Sequence, residues 1–229
     1  MAETGTYGVA DMETGDLSQF AGTVNEGSIM SAHADAKNNG SYGGRVLFDG
    51  TNNDCCGYFS PSNLTECYLR GYFYIDSGIT IAAYAVLNIM VVRDGSNSVA
   101  LVQLRRGAAG SGPVTQLRVT GVTGVTTVAI TPILDQWFYT ELHFVAGTGA
   151  DGELEWWVDG LSKSHDTGKN FSAYAIDFMG AGGNFYGTGV PADGDFIYFD
   201  DVVAHDAYIG AYSAGGGTIL LQIIMHHGG

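Results

Sequence analysis

Apolar and polar residues alternate along many short segments of the chain, and this period of two predicts β-strands. The segment 68–75 is the clearest case, because its apolar residues share one face and its polar and aromatic residues share the other. The core face carries Leu69, Phe73 and Ile75, and the outer face carries Tyr68, Arg70, Tyr72 and Tyr74. Similar patterns predict further strands over 79–92, 99–104, 117–122, 126–130, 137–145, 153–158 and 196–204.

Residues that favour tight turns separate these segments. Asp94-Gly95, Asp151-Gly152 and Asp159-Gly160 supply positions that tolerate a positive φ. No segment shows a long helical period with end caps, and no repeat of solenoid or propeller length is visible. The pattern therefore predicts an all-β fold of antiparallel strands. A chain of 229 residues is near the upper size of one such domain, so we expect a single domain over residues 1–209.

The charge balance is strongly acidic, with nine Lys and Arg against 24 Asp and Glu and a net charge of −15. This sign argues against binding to nucleic acid or to an anionic membrane surface. The longest apolar stretch, 79–92, is too short to span a bilayer, so we expect no membrane insertion. The cysteines Cys55, Cys56 and Cys67 lack metal-ligand spacing; buried thiols are the favoured interpretation, and a bridge from Cys67 to Cys55 or Cys56 stays open.

The end of the chain differs from the rest. Residues 210–217 are rich in Gly, Ser and Ala, which is typical of a flexible linker, and a short apolar strand follows. That strand either pairs with an edge of its own domain or adds to a neighbouring subunit. We therefore treat 210–229 as a linker and a C-terminal assembly arm. The apolar side chains of the arm are Ile219, Leu221, Ile223 and Met225.

Two parts of the chain resemble known families. The hairpin formed by 137–144 and 154–160 opens one strand with Trp137 and closes the next with Asp159-Gly160. It resembles the mid-domain hairpin of the concanavalin A-like lectin and laminin-G superfamily. The stretches 11–17 and 196–202 resemble the first and last strands of jelly-roll carbohydrate-binding modules. Both resemblances imply a two-sheet jelly-roll sandwich.

In jelly-roll carbohydrate-binding modules, the opening Glu and an Asp of the closing strand hold a structural calcium ion. The resemblance implies the same role here for Glu13 and for Asp200 or Asp201, with Asp16 and backbone carbonyls completing the shell. Because alternation places Asp200 and Asp201 on opposite faces, only one of them can point at a shared site. The alternative is that these acids are solvated at a strand end.

Aromatic rings and polar side chains on one sheet face suit a glycan, because planar rings stack on sugars while polar groups pair with hydroxyls. One of the vicinal residues Trp156 and Trp157 must face outward to join them. The alternative is that the rings pack under loops or against another subunit. The predicted glycan-binding residues are Tyr68, Arg70, Tyr72, Tyr74 and Trp157.

Catalytic residues are harder to find. Glu153 and Glu155 lie two positions apart on one predicted strand, but the family counterpart of this hairpin is structural. Jelly-roll polysaccharide lyases use an Arg, Gln, His and Tyr set, for which this chain offers residues of the right types without showing that they converge. That set is Arg70, Gln103, His143 and Tyr72. We expect no enzymatic activity.

The opening residues show no secretory signal and no anchor, whereas lectin-like folds are usually displayed outside cells. A bacteriophage virion protein would reconcile the two, and the first and last strands also resemble lectin-like domains of phage structural proteins. We therefore expect a non-enzymatic structural or decoration protein on the surface of a phage-like virion. Its expected partners are further copies of itself as a homo-oligomer, other virion proteins and surface glycans. The alternatives are a free extracellular carbohydrate-binding module and, less favoured, a polysaccharide-cleaving enzyme.

Overall fold

The computed structural model describes residues 5–51, 54–122, 124–186 and 190–211, and within them the fold is all-β, as the sequence predicted. Two single 3-10 turns, Glu26–Ser28 and Ala34–Ala36, interrupt the strands. The strands, in chain order, are β1 Thr6–Ala10, β2 Gly22–Asn25, β3 Met30–His33, β4 Gly43–Leu47, β5 Asp54–Phe59, β6 Glu66–Ile75, β7 Thr80–Ile81, β8 Val86–Asp94, β9 Asn97–Arg105, β10 Gly112–Pro113, β11 Gln116–Gly121, β12 Val128–Ile130, β13 Trp137–Val145, β14 Gly152–Val158, β15 Leu161–Lys169, β16 Phe178–Tyr186 and β17 Phe196–His205.

Two antiparallel sheets pack face to face as a sandwich. The eight-stranded sheet has the order β15-β14-β13-β6-β17-β4-β3, and β1 also pairs with β17. The seven-stranded sheet has the order β12-β11-β9-β8-β16-β5-β2. The short strands β7 and β10 form a separate two-stranded ladder. Because neighbouring strands often come from distant parts of the chain, the sheets join its beginning, middle and end.

The last described strand, β17, makes the most distant of these connections. Its first half pairs with β4 and its second half with β1, while its other edge pairs with β6. The register of the β6 pairing shifts between Asp200 and Val203, and Asp201 adopts a positive φ of 47°. This bulge changes which partner β17 meets along its length, because a bulge bends the strand and increases its twist.

Most predicted strands are present with small differences at their ends, and 137–145 matches β13 at both ends. The predicted strand 79–92 divides into β7 and β8. Tyr84 lies in the intervening turn with a φ of 60° and a side chain that is 60% exposed. The run of apolar residues does not reveal this turn, because the backbone conformation at Tyr84, and not a polar residue, separates β7 from β8.

The hydrophobic pattern misses β1 to β5, β10, β15 and β16, and the stretch 11–17, which was likened to a first strand, lies in turns and bends after β1. Two of the missed strands have unusual compositions. β15 is largely polar, and it lies at an edge of the eight-stranded sheet. β16 reads Phe-Met-Gly-Ala-Gly-Gly-Asn-Phe-Tyr, and its glycines lie between β5 and β8. A Cβ on Gly182 would lie 2.8 Å from the carbonyl oxygen of Cys55. The glycines therefore permit close backbone approach, where a propensity scale would predict a loop.

The core lies between the sheets and is rich in aromatic residues. Trp156 is fully buried, and its indole nitrogen donates a hydrogen bond of 2.7 Å to Oγ1 of Thr140. Leu69, Phe73 and Ile75 are also fully buried, as their alternation predicted. Cys55, Cys56 and Cys67 are buried and form no disulfide bond, so the bridge left open above is absent.

The predicted boundary at 209/210 stays a prediction. Gly210 and Ala211 are described, whereas Ile219, Leu221, Ile223 and Met225 lie outside the described residues. Among the residues that are described, no helix has the length and apolar character needed to cross a membrane.

Replacement of Trp156 by Ala tests the packing of the core. We expect a loss of about 3–5 kcal/mol in the free energy of unfolding, because the change leaves a large cavity. Urea denaturation followed by tryptophan fluorescence or circular dichroism measures this loss. Leu161→Ala is the control, because Leu161 is 63% exposed on the adjacent strand. Its change should stay within about 0.5 kcal/mol, and equal losses in the two variants would contradict the packing described here.

Candidate functional site

The residues predicted to form a lyase-like set lie on two different sheets. Arg70 and Tyr72 are on β6 and His143 is on β13, all on the outer face of the eight-stranded sheet. Gln103 is on β9, in the seven-stranded sheet. The hydrophobic core separates the two outer faces. These four residues therefore do not converge on one site.

A chain of ionisable side chains crosses the outer face of the eight-stranded sheet. His143 contacts Glu66 at 3.0 Å through Nε2 and Glu153 at 3.2 Å through Nδ1. His165 contacts Glu153 at 3.3 Å, and Glu155 accepts a hydrogen bond from Ser162. Glu153 and Glu155 thus share a face, as predicted, but both carboxylates are engaged with neighbouring side chains.

The aromatic residues that were predicted to bind glycan lie on the outer face of this sheet and pack on neighbouring rings, and their glycan-binding role stays a prediction; they are Tyr68, Tyr72, Tyr74 and Trp157. Tyr68 stacks on the imidazole of His143 at a centroid distance of 4.0 Å. Burial, followed by the carboxylates of Glu66 and Glu153, raises the pKa of Tyr68 well above its usual value. Because of this raised pKa, the hydroxyl of Tyr68 keeps its proton at ordinary pH and can donate a hydrogen bond. Trp157 is the outward member of the tryptophan pair, and its ring centroid lies 5.2 Å from that of Tyr208.

The segment after β17 covers the middle of this face. Glu141 accepts hydrogen bonds from the backbone nitrogens of Ile209 at 2.7 Å and Gly210 at 2.9 Å. Arg70 donates to the carbonyl oxygens of Gly210 and Asp201. Arg70 is only 2% exposed and Glu141 is fully buried. Arg70 therefore binds the backbone of the segment that follows β17. The predicted glycan-binding role requires a guanidinium that is exposed to solvent, and the buried Arg70 does not provide one.

The predicted calcium ligands are distributed over separate hydrogen-bonding groups. Glu13 accepts hydrogen bonds from the backbone of Ser41 and Tyr42, and Asp200 accepts them from Asn38 and Asn39. Asp16, in contrast, binds its near neighbours Thr14 and Ser18.

Asp201 joins this region through a hydrogen bond of 3.0 Å from the side-chain amide of Asn39. Burial and the neighbouring Asp201 raise the pKa of Asp200 to about 7. In the described part of the chain, no group of three or more His, Cys, Asp and Glu side chains has the geometry of a metal site. The arrangement does not fit the implied ion, and calcium stays an untested prediction.

The outer face of the seven-stranded sheet carries a different set of residues. Arg118 of β11 lies opposite Gln103 of β9, which lies opposite Asn88 of β8. Their chain neighbours Leu117, Leu104 and Leu87 are fully buried in the core. Because side chains alternate between the two faces of a strand, these three polar residues point away from the core.

Hydrogen bonds join the three side chains into a row. Arg118 Nε donates to Gln103 Oε1 at 2.8 Å, and Gln103 Nε2 donates to Asn88 Oδ1 at 2.6 Å. Asn88 is 1% exposed and Gln103 is 4% exposed. The side-chain nitrogen of Asn88 finds no hydrogen-bond partner among the described residues. A buried donor without a partner is costly for the folded state.

Arg105 extends this surface by one more cation. It lies opposite Gln116 and donates a hydrogen bond of 3.2 Å to Gln116 Oε1. Burial and the nearby Arg105 lower the pKa of Arg118. Over the described ranges, neither guanidinium forms a salt bridge with a carboxylate. We call this surface the cationic face, and it comprises Asn88, Gln103, Arg105, Gln116 and Arg118.

Sequence reasoning identified only Gln103 among these residues, and it grouped Gln103 with the wrong partners. The available signal was a polar side chain inside each of three apolar strands, since Asn88, Gln103 and Arg118 interrupt segments that are otherwise buried. These three polar residues form one surface only because the strand register places them opposite one another. In a chain of net charge −15, two neighbouring guanidiniums without carboxylate partners among the described residues are a local concentration of positive charge.

No protein-family model matches the chain, and no curated protein matches it significantly. Several solved structures share its fold. An endo-β-1,4-glucuronan lyase from the fungus Trichoderma reesei aligns with a TM-score of 0.61 and 12% identity, over 89% of this chain and 97% of that chain. A cellulose-induced protein aligns with a TM-score of 0.60 and 16% identity, over 89% and 99%. A PL-14 alginate lyase from the marine animal Aplysia kurodai aligns with a TM-score of 0.55 and 13% identity, over 87% and 98%.

These comparisons support the concanavalin A-like jelly-roll sandwich. They contradict the expected non-enzymatic decoration protein of a phage-like virion, because the fold is shared with several polysaccharide lyases. The expectation that the chain is not an enzyme is contradicted for the same reason. Identities this low establish a shared fold, and a fold by itself does not determine a reaction.

The burial of Glu141 predicts a pH-dependent stability. Burial raises the pKa of Glu141 to about 7 from an ordinary value of 4.5, although Ile209, Gly210 and Arg70 oppose the shift. The folded state therefore retains a proton that the unfolded state loses. The stability that this proton contributes is present below about pH 4.5 and is lost as the pH rises through about 7.

Glu141→Gln keeps the size of the side chain and removes its titration. We expect the free energy of unfolding to fall between pH 5 and pH 8 by up to about 3 kcal/mol more in the original protein than in the variant. Urea denaturation at a series of pH values measures the difference. The contribution of Asp200 is common to both proteins and cancels in the comparison. Parallel pH profiles would contradict the raised pKa.

Proposed function

We propose that the chain is a carbohydrate-active protein that binds a carboxylated polysaccharide on its cationic face. The observation that carries the proposal is the hydrogen-bonded row of Arg118, Gln103 and Asn88, with Arg105 beside it. A guanidinium forms strong, charge-assisted hydrogen bonds to a carboxylate. Asn88 accepts a hydrogen bond from Gln103 and so orients the Gln103 amide, whose oxygen in turn accepts from Arg118.

The arrangement suits a polymer better than a single small anion. The cations lie on the neighbouring strands β9 and β11, and strands in a sheet are about 4.8 Å apart. Leu101 is a half-buried residue of β9 and lies two positions from Gln103 on the same face. A sugar ring offers both an apolar face and a hydrogen-bonding edge, which matches this mixture of side chains.

The likeness to other proteins supports the same class of ligand. Two of the solved structures described above are lyases of glucuronan and alginate. Both polymers consist of sugars that carry carboxylates. An acidic protein repels such a polymer over most of its surface, so binding requires a local concentration of cations. The cationic face is such a concentration.

Eliminative cleavage of the bound polymer is the second candidate function, and it is favoured by the fold shared with the lyases. In β-elimination, a base removes the proton next to the carboxylate, the bond to the departing sugar oxygen breaks, and a carbon–carbon double bond forms. Neutralisation of the carboxylate by Arg118 and Arg105 would make that proton easier to remove. Cleavage also requires a base and an acid, which an activity assay tests directly.

Arg118→Gln tests the proposed binding. We expect the Kd for alginate or glucuronan, measured by isothermal titration calorimetry, to rise about tenfold, because a charge-assisted hydrogen bond contributes about 1.5–3 kcal/mol. The affinity of the original protein should also fall as salt concentration rises. Lys163→Gln is the matched control, because it removes the same charge from β15 in the other sheet. Equal loss in both variants, or no binding by the original protein, would overturn the proposal.

Cleavage is measured on the same polymers by the ultraviolet absorbance of the unsaturated product. Release of this product by the original protein and its loss in Arg118→Gln would establish a lyase that acts at the cationic face. Binding without product would assign the chain to carbohydrate-binding modules. Product release that Arg118→Gln leaves intact would place catalysis on another surface.

A further inference from the structure

The outer face of the eight-stranded sheet presents a second surface, far from the cationic face. Four aromatic side chains lie together on three adjacent strands, where β13, β6 and β17 run side by side. Trp137 lies opposite Tyr74, and Tyr74 lies opposite Tyr198. We call this set the aromatic strip, and it comprises Tyr74, Trp137, Phe196 and Tyr198.

Strand alternation explains why these rings lie outside the core. Phe73, Phe138, Ile197 and Phe199 occupy the intervening positions and are at most 2% exposed. The rings of the aromatic strip are each only partly buried. Their outward position is therefore set by the pairing of the core residues, although aromatic rings would gain free energy from full burial.

The rings of the strip contact one another. The centroids of Phe196 and Tyr198 are 4.7 Å apart, and those of Tyr74 and Tyr198 are 5.7 Å apart. Trp137 is turned by 60° from Tyr74 at a centroid distance of 6.0 Å. The strip is therefore one contiguous cluster of aromatic rings on the outer face of the sheet.

The charged residues near the strip are of both signs, and Arg45 lies directly opposite Tyr198. Burial, and then the carboxylate of Asp35, raises the pKa of Tyr198, and Asp76 acts in the same direction. Arg45 is the opposing cation. The strip therefore differs from the cationic face, which concentrates guanidiniums without carboxylate partners. A polymer rich in carboxylates fits the cationic face, and an uncharged one fits the strip.

We propose that the aromatic strip binds the flat face of an uncharged, extended polysaccharide. Sugar rings in such a polymer expose C–H groups on their faces, and these stack on aromatic rings without requiring charge. The two surfaces lie on opposite sheets, so one molecule can hold an uncharged and a carboxylated polymer at once. This proposal does not depend on the proposed function of the cationic face.

Adsorption to microcrystalline cellulose and to chitin, measured by pelleting and a binding isotherm, tests the proposal with the full chain. We expect the original protein to pellet with at least one of the two solids. Tyr74→Ala and Phe196→Leu should each weaken adsorption about tenfold, because one stacking contact is lost. Phe196→Leu keeps apolar volume without a planar ring, and it therefore separates stacking from general hydrophobic contact.

Matched variants separate a binding role from a folding role. Tyr198→Phe keeps the ring and should adsorb like the original protein, as should Tyr42→Ala, which removes a 38% exposed ring outside the strip. Thermal denaturation of each variant checks that it is folded. Failure of the original protein to pellet with either solid would overturn the proposal. Full adsorption by folded Tyr74→Ala and Phe196→Leu would do the same.

Arg118→Gln distinguishes the two surfaces. This variant should adsorb to the solid as the original protein does while its affinity for soluble alginate falls. If it lost adsorption instead, and soluble alginate released the original protein from the solid, the cationic face would be the adsorbing surface and the aromatic strip would not. Loss of alginate binding in Arg118→Gln with normal adsorption would support both proposals independently.

Discussion

The pairing of β17 with β6 is the contact on which the rest of the eight-stranded sheet depends. It joins the end of the described chain to its middle, and on its other edge β17 pairs with β4 and β1. The two halves of β17 serve different partners because of the bulge at Asp200 and Asp201. The backbone amides of Asn38 and Asn39 donate to Asp200, so the bulge also fixes the loop before β4. A change in register here would move the outer side chains of β6 and β17 into the core.

The outer surfaces of the two sheets follow from one physical condition. Each central strand has one face buried against the opposite sheet, so the side chains that could bind a ligand lie on its other face. On the seven-stranded sheet that face brings Arg118, Gln103 and Asn88 into a row. On the eight-stranded sheet it brings aromatic rings together, and the segment held by Glu141 and Arg70 covers part of them. The two sheets therefore differ in charge as well as in shape.

The cationic face is costly for the isolated protein. Burial, and then the neighbouring Arg105, lowers the pKa of Arg118, so the charged form of Arg118 is disfavoured in the isolated protein. Asn88 leaves a buried donor without a partner among the described residues. A carboxylate bound beside Arg105 and Arg118 would stabilise the charge of Arg118, and this is the physical basis of the proposed function.

The sequence alone determined the all-β class, most central strands and the core face of β6, because burial on one side imposes a period of two that is visible without structure. It did not reveal β15 or β16, because an edge strand can be polar and a glycine-rich strand has few side chains to form a pattern. It also grouped Gln103 with Arg70, Tyr72 and His143, which the fold places on the opposite outer face. Register decided that Gln103 instead lies between Asn88 and Arg118. Sites on a sheet are made by residues of different strands, and the alignment of those strands is set by tertiary packing, which no local pattern records.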